Sequence, residues 1–238
     1  MAETARSSER GGAVVLVGAG EYLPGMDPVD RRLLAGLAGP ARVVVLPTAS
    51  APDGPGVPER WARMGVEHYT RLGVAVEPVM LLAREDAFRP ELVEPIARAS
   101  FVYLSGGKPR FLLETLEGTP AWEAIQEVHA AGGVVAGCSA GAMVLGGAMV
   151  DGRGWDATRP GLGLAPGILV IPHFDELSRR VSDLRERLPA GVTLAGVDGF
   201  TALVGQRGAY RVWGRGGVTL ITPDGEARYT DGQSVPLP

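Results

Sequence analysis

Short apolar runs that stop at glycine or proline alternate with stretches whose apolar residues recur every three or four positions, and this alternation restricts the chain to few folds. Ala13 to Val17 closes at Gly18, Ala19 and Gly20, Arg42 to Leu46 closes at Pro47, and Ser100 to Leu104 closes at Ser105, Gly106 and Gly107. Val74 to Leu82 and Val134 to Ala136 read as further strands. Between them lie Asp27 to Leu37, with Leu33, Leu34 and Leu37 at helical spacing, and Pro58 to Leu72, with Trp61, Met64, Tyr69 and Leu72 on one face and Gly73 as the stop. Thr119 caps a third helix that starts at Pro120, buries Trp122, Ile125 and Val128, and ends at Gly132 and Gly133.

Each crossover must lay its helix against the sheet, so the pattern predicts an α/β fold: a three-layer sandwich with a mostly parallel central sheet. Ligands of such sheets sit beyond the carboxyl ends of the strands. In the last third, Thr193 to Val197, Thr201 to Val204, Tyr210 to Trp213 and Val218 to Ile221 are short and Gly-punctuated, which predicts a C-terminal antiparallel β ribbon. Residues 1–12 read as a flexible tail and 13–238 as one α/β hydrolytic domain. Ala51 to Val57 and Asp151 to Pro166 read as the two long loops, a common place for site residues.

Composition narrows the function classes. The net charge of −4 and scattered arginines leave no basic stripe for a phosphate backbone, so nucleic acid is not an expected partner. No apolar run approaches the roughly 20 residues that span a bilayer, and the first dozen residues lack the apolar core of a secretory signal, so no membrane is expected and a cytoplasmic location is. Cys138 is the single cysteine, which excludes an internal disulfide and a thiolate metal cluster within one chain. Gly18 and Gly20 begin a dinucleotide fingerprint that Leu23 leaves incomplete, so no nicotinamide is expected.

Gly137, Cys138, Ser139, Ala140 and Gly141 match GxSxG directly after a strand and before the helix-like run Ala142 to Leu145. That context suits a nucleophile at a sharp strand-to-helix turn, where small neighbours let the hydroxyl project and backbone N–H groups face the reacting carbonyl. The bland alternative is a packed turn serine, and Cys138, on the strand side of the turn, reads as buried, as free cysteines usually are.

A serine needs a base, and the histidines are His68, His129 and His173. The first two fall inside helices upstream of the elbow and read as structural. His173 follows the strand Ile168 to Ile171 and precedes a helix opened by Asp175, with Leu177, Val181, Leu184 and Leu188 on its buried face and Pro189 as its stop, which puts it at a carboxyl strand end like Ser139. A helix N-terminus favours the neutral imidazole that a general base needs. Asp151, Asp156, Asp175 and Asp198 all qualify by type as the acid behind it; Asp156, between nucleophile and base in the chain, is the choice made here.

YLSGGKPRFLLETL from Tyr103 to Leu116, GGVVAGCSAGAMVLG from Gly132 to Gly146, the Gly161 to Phe174 stretch ending in IPHF, and GVDGFTALV from Gly196 to Val204 together resemble the dipeptidase E and cyanophycinase group of serine peptidases. The resemblance implies the class I glutamine amidotransferase-like fold, a flavodoxin-like three-layer architecture. It implies Ser139 as nucleophile, His173 as base, and backbone amides of Gly107 and Ala140 as the oxyanion hole. Where the family usually has a small polar residue after the glycine pair, Lys108 stands here, either a candidate partner for a substrate carboxylate or simply the start of a helix. Cyanophycinase-like members carry a regular arginine series after the HF pair; here that series is incomplete, with Arg179 and Arg180 left as candidate substrate contacts.

The expected function is therefore a serine peptidase acting on short, Asp-containing peptides through a Ser-His-acid triad and an acyl-enzyme, with a small peptide as partner, no metal and no organic cofactor, and a homodimer left open. The alternatives are an esterase or amidase on small acyl compounds, and a binding protein that keeps the fold without turnover.

Overall fold

The computed structural model describes residues 12–151, 157–177, 184–185, 188–206 and 208–237. Along the chain the strands are β1 (Ala13–Val17), β2 (Arg42–Leu46), β3 (Ala75–Pro78), β4 (Phe101–Leu104), β5 (Val134–Cys138), β6 (Gly146–Asp151) and β7 (Ala157–Pro160). They continue with β8 (Ala165–Ile171), β9 (Thr193–Val197), β10 (Thr201–Gln206), β11 (Ala209–Gly214), β12 (Gly217–Thr222), β13 (Gly225–Thr230) and β14 (Ser234–Val235). The helices are α1 (Asp27–Ala35), α2 (Val57–Arg71), α3 (Pro90–Ala97), α4 (Pro109–Leu116), α5 (Pro120–Ala130), α6 (Ala140–Leu145) and α7 (Phe174–Leu177).

An eight-stranded sheet has the order β14-β11-β10-β1-β5-β4-β2-β3. Its β1, β5, β4, β2 and β3 are mutually parallel, and β10 runs antiparallel to β1. Both faces of the parallel part are covered, which is why its strands are apolar without interruption. Alternate side chains go to opposite cores: Val14, Leu16, Val44, Leu46, Val102, Leu104 and Val135 enter one, while Val15, Val17, Val43, Val45, Phe101, Tyr103, Val134 and Ala136 enter the other. The expected cap of α5 is present, with Thr119 Oγ1 accepting from Trp122 N at 3.3 Å.

A second, six-stranded sheet has the order β13-β12-β9-β8-β6-β7. It corrects two expectations. The C-terminal strands form no single ribbon: β10, β11 and β14 widen the first sheet, while β9, β12 and β13 belong to the second. The stretch read as the loop Asp151 to Pro166 contains β7, paired antiparallel to β6. Strands this short, broken by Gly and Pro, carry almost no periodic signal of their own and are defined by the strands they pair with. Helix α6 lies between the sheets, with all six residues buried, packing on β5 of one and on β6 and β8 of the other. One continuous core runs through it, from Val14 and Leu16 to Ile168 and Leu194.

The register places the chemistry. Val17 is opposite Cys138, Leu104 opposite Gly137 and Leu46 opposite Leu104, so the segments that follow β1, β2, β4 and β5 emerge together at one sheet edge. Among the described residues no helix is long and apolar enough to cross a membrane.

Candidate active site

Ser139 joins β5 directly to α6 with φ +50° and ψ −109°, a conformation that costs an L-residue about 1–3 kcal/mol. The surrounding glycines make it attainable. A Cβ on Gly137 would lie 2.4 Å from the Gly141 backbone, and one on Gly141 would lie 2.3 Å from the Leu104 carbonyl oxygen. Ser139 N donates to Val17 O at 3.0 Å, which ties the elbow to the neighbouring strand.

His173 sits two residues beyond β8, at φ +51°, and its carbonyl receives the Glu176 and Leu177 amides that open α7. Its Nε2 is 3.2 Å from Ser139 Oγ. The second sheet thus delivers the histidine to the serine of the first, although 34 residues separate them.

The loop after β4 approaches from the other side. A Cβ built on Gly106 would lie 3.4 Å from Ser139 Cβ, so Gly106 abuts the serine. Gly107, at φ +143°, is pressed onto the segment after β2, where a Cβ would meet Ala49 O at 2.3 Å, and Lys108 N donates to the same oxygen at 2.7 Å. Among the described residues neither Gly107 N nor Ala140 N donates a hydrogen bond.

Of the remaining predicted residues, Asp156, Arg179 and Arg180 lie outside the described residues. Lys108 is exposed, and its Nζ pairs with Asp53 Oδ1 at 3.0 Å. Among the described residues no carboxylate bonds to His173. The other aspartates weighed from sequence are engaged elsewhere. Asp175 Oδ1 accepts from Gly199 N at 3.0 Å, Asp151 lies 3.8 Å from Arg159, and Asp198 accepts from Gly217 N at 2.9 Å and pairs with Arg228.

The structural reading of the other histidines fits what the structure places around them. His68 is buried, with Nε2 2.8 Å from Asp30 Oδ2 and Nδ1 accepting from Arg71 at 2.9 Å. His129 lies on α5, where burial pushes its imidazole pKa down. Cys138 is fully buried, and burial, reinforced by nearby Glu21, pushes its thiol far up, so it stays a protonated thiol beside the serine.

Sequence reading passed over Glu21. It follows β1, is 7% exposed, and reaches the elbow: its Oε2 accepts from Cys138 Sγ at 2.8 Å and its Oε1 accepts from Gly106 N at 3.0 Å. The available signal was its position, a carboxylate in the first turn beyond a strand whose carboxyl end shares the edge with Ser139. Among the described residues no group of three or more His, Cys, Asp and Glu side chains is placed to hold a metal ion.

Residues 14–206 match the model of peptidase family S51. A cyanophycinase of Synechococcus elongatus is 28% identical over 199 residues, covering 77% of this chain and 59% of its own length. A cyanophycinase of Nostoc sp. is 32% identical over 160 residues, covering 62% of this chain and 53% of its own. The chain thus spans between half and three fifths of the length of these curated relatives. Among solved structures, a peptidase from an acI-B1 Actinobacterium superposes with a TM-score of 0.86 at 33% identity, covering 96% of this chain and 98% of that one. A Listeria monocytogenes protein described as a putative peptidase E has a TM-score of 0.64 at 19% identity, covering 86% and 99%, a likeness of fold.

Proposed function

Because the chain belongs to peptidase family S51, we propose that it is a serine peptidase with Ser139 as nucleophile and His173 as general base. The observation that carries this reading is the 3.2 Å approach of His173 Nε2 to the Ser139 hydroxyl at a strained strand-to-helix turn. The hydroxyl donates to Nε2. As Ser139 Oγ attacks an amide carbonyl carbon, the proton passes to His173 and the carbonyl oxygen becomes an oxyanion. The free N–H groups of Gly107 and Ala140 are the donors for that oxyanion. Collapse breaks the C–N bond, with His173 returning the proton to the departing amine. Water, deprotonated by His173, then cleaves the acyl ester and restores Ser139.

Asp156 is the proposed orienting acid, on the chain-order argument made above. Short peptides with acidic residues are the proposed substrates. Lys108, Arg179 and Arg180 are the proposed carboxylate contacts, with Lys108 exchanging Asp53 for substrate, and the cytoplasm is the proposed location. The printed names of the relatives support peptide cleavage as the chemistry; the choice of acidic peptides rests on the family resemblance read from the sequence.

The test is active-site labelling by a fluorophosphonate together with hydrolysis of a panel of Asp-containing di- to tetrapeptides. Label that vanishes in Ser139→Ala and persists in Cys138→Ala is expected. Label independent of Ser139 would overturn the assignment, and hydrolysis of aryl esters without any peptide cleavage would favour an esterase.

A further inference from the structure

Glu21 has no part in the chemistry just described, yet it is the buried carboxylate that touches both halves of the site. We infer that Glu21 is a positioning residue that holds the Gly106–Gly107 loop against the nucleophile elbow, and so sets where the Gly107 N–H points relative to Ser139. This rests on the reading of Ser139 as nucleophile.

Each of its oxygens serves a different strand end. Oε1 takes the Gly106 N–H at 3.0 Å, and Oε2 takes the Cys138 S–H at 2.8 Å. Gly106 is one peptide before Gly107, and Cys138 is one peptide before Ser139, so the carboxylate stands directly behind both the proposed oxyanion donor and the nucleophile. Gly106 is pinched between the two: a Cβ there would lie 2.8 Å from Glu21 Oε1 and 3.4 Å from Ser139 Cβ. The next residue repeats the strap. Tyr22, at φ +64°, places its hydroxyl 2.8 Å from Ser105 Oγ, so consecutive residues after β1 grip consecutive residues after β4.

The arrangement also assigns the loop's donors. Gly106 N–H is consumed by Glu21, which leaves Gly107 N–H as the one free to meet substrate. A buried carboxylate without a cationic partner among the described residues is a costly way to fasten a loop, because it gives up its hydration without an ion pair in return. Such a cost is explained when the geometry it secures matters to within a fraction of an ångström, as an oxyanion donor's does. The raised pKa of Cys138 keeps the S–H donor in place over the working pH range.

The experiment compares Glu21→Met, which keeps bulk and loses both acceptors, with Glu21→Gln, which still presents an oxygen to Gly106 N–H. Peptide turnover, the fluorophosphonate labelling rate and melting temperature are read for each, with rates normalised to folded protein. Glu21→Met should lower kcat and the labelling rate together by about 30-fold or more, with KM within about threefold and the pH profile of kcat/KM unmoved. Glu21→Gln should stay within about fivefold of wild type. A merely structural glutamate would lower the melting temperature of Glu21→Met while kcat stayed within about threefold of wild type, and that result would overturn the proposal. If Glu21→Met does not fold, Gly106→Ala tests the strap from its other end by displacing the carboxylate; there too, unchanged kcat overturns it. Wild-type protein that neither cleaves peptides nor takes label at Ser139 overturns the nucleophile reading and this role with it, whereas an active wild type with an unimpaired Glu21→Met overturns this role alone.

Discussion

His68 and His173 are each held through Nε2, at 2.8 Å to Asp30 and at 3.2 Å to Ser139, yet they stand in opposite environments. Around His68 everything is filled. Arg71 donates to Nδ1, so Nε2 carries the proton and donates to Asp30, whose other oxygen accepts from Tyr69 at 3.3 Å, and the ring packs against Tyr22 and Tyr69. Burial pushes the Asp30 carboxyl pKa up while the His68 bond opposes it. Around His173 the ring is partly exposed, the backbone has positive φ, and the partner is a hydroxyl at a sheet edge. A histidine–carboxylate pair is therefore no sign of catalysis in this chain. What distinguishes the proposed base is an Nε2 facing a hydroxyl in a partly exposed setting.

The sharpest way to break the comparison is to remove each imidazole. His173→Gln should reduce peptide turnover by a factor of about 1,000 or more, since a serine without its base retains little beyond binding and oxyanion stabilisation, and the melting temperature should hardly move. Gly137→Ala should come next. Its Cβ must push into the Gly141 backbone, shifting the elbow relative to His173, with kcat falling on the order of 100-fold and the melting temperature falling too. His68→Leu inverts the pattern: it strands Asp30 in the core and should cost about 3 kcal/mol in denaturant titration, while kcat per folded molecule stays at the wild-type value. Loss of kcat in folded His68→Leu would erase the distinction between the two sites.

The smallest expected effect concerns His129. Its folded-state pKa lies below the ordinary 6.5, chiefly through burial, so on acidification the unfolded chain takes up this proton before the folded chain does. The stability present above pH 6.5 is thus lost progressively as pH falls through the folded-state pKa. His129→Gln should flatten that part of the stability–pH curve in chemical denaturation at matched ionic strength, without altering turnover.

The parallel half of the first sheet was legible residue by residue. Val14, Leu16, Val43 and Val45 need no partner to announce themselves, because a strand buried on both faces must be apolar throughout. The elbow was legible for a related reason: Gly137 is demanded by local sterics, because its Cβ would meet the Gly141 backbone, and the strand before Ser139 and the helix after it are visible in its immediate neighbours. The position of His173 after an apolar strand could be read in the same local way, and elimination of two helix-borne histidines left it as the proposed base.

Glu21 and the division of the C-terminal strands between two sheets were not legible, because neither is a local property; β6 and β7 pair close in sequence but are too short and too broken by Gly and Pro to announce themselves. Glu21 gains its meaning from Gly106 and Cys138, 85 and 117 residues away. β6 and β7 become strands by pairing, and β9 and β10, consecutive in sequence, part company because each finds its neighbour elsewhere, β9 on β8 and β10 on β1. Local sterics and the need to bury apolar side chains act within a few residues, so the sequence by itself determined the strands, helices and turn that need only their neighbours. Hydrogen bonds between strand ends form only after the chain has closed on itself, so the meeting of Glu21 with Gly106 and Cys138 behind the serine was decided by the tertiary structure alone.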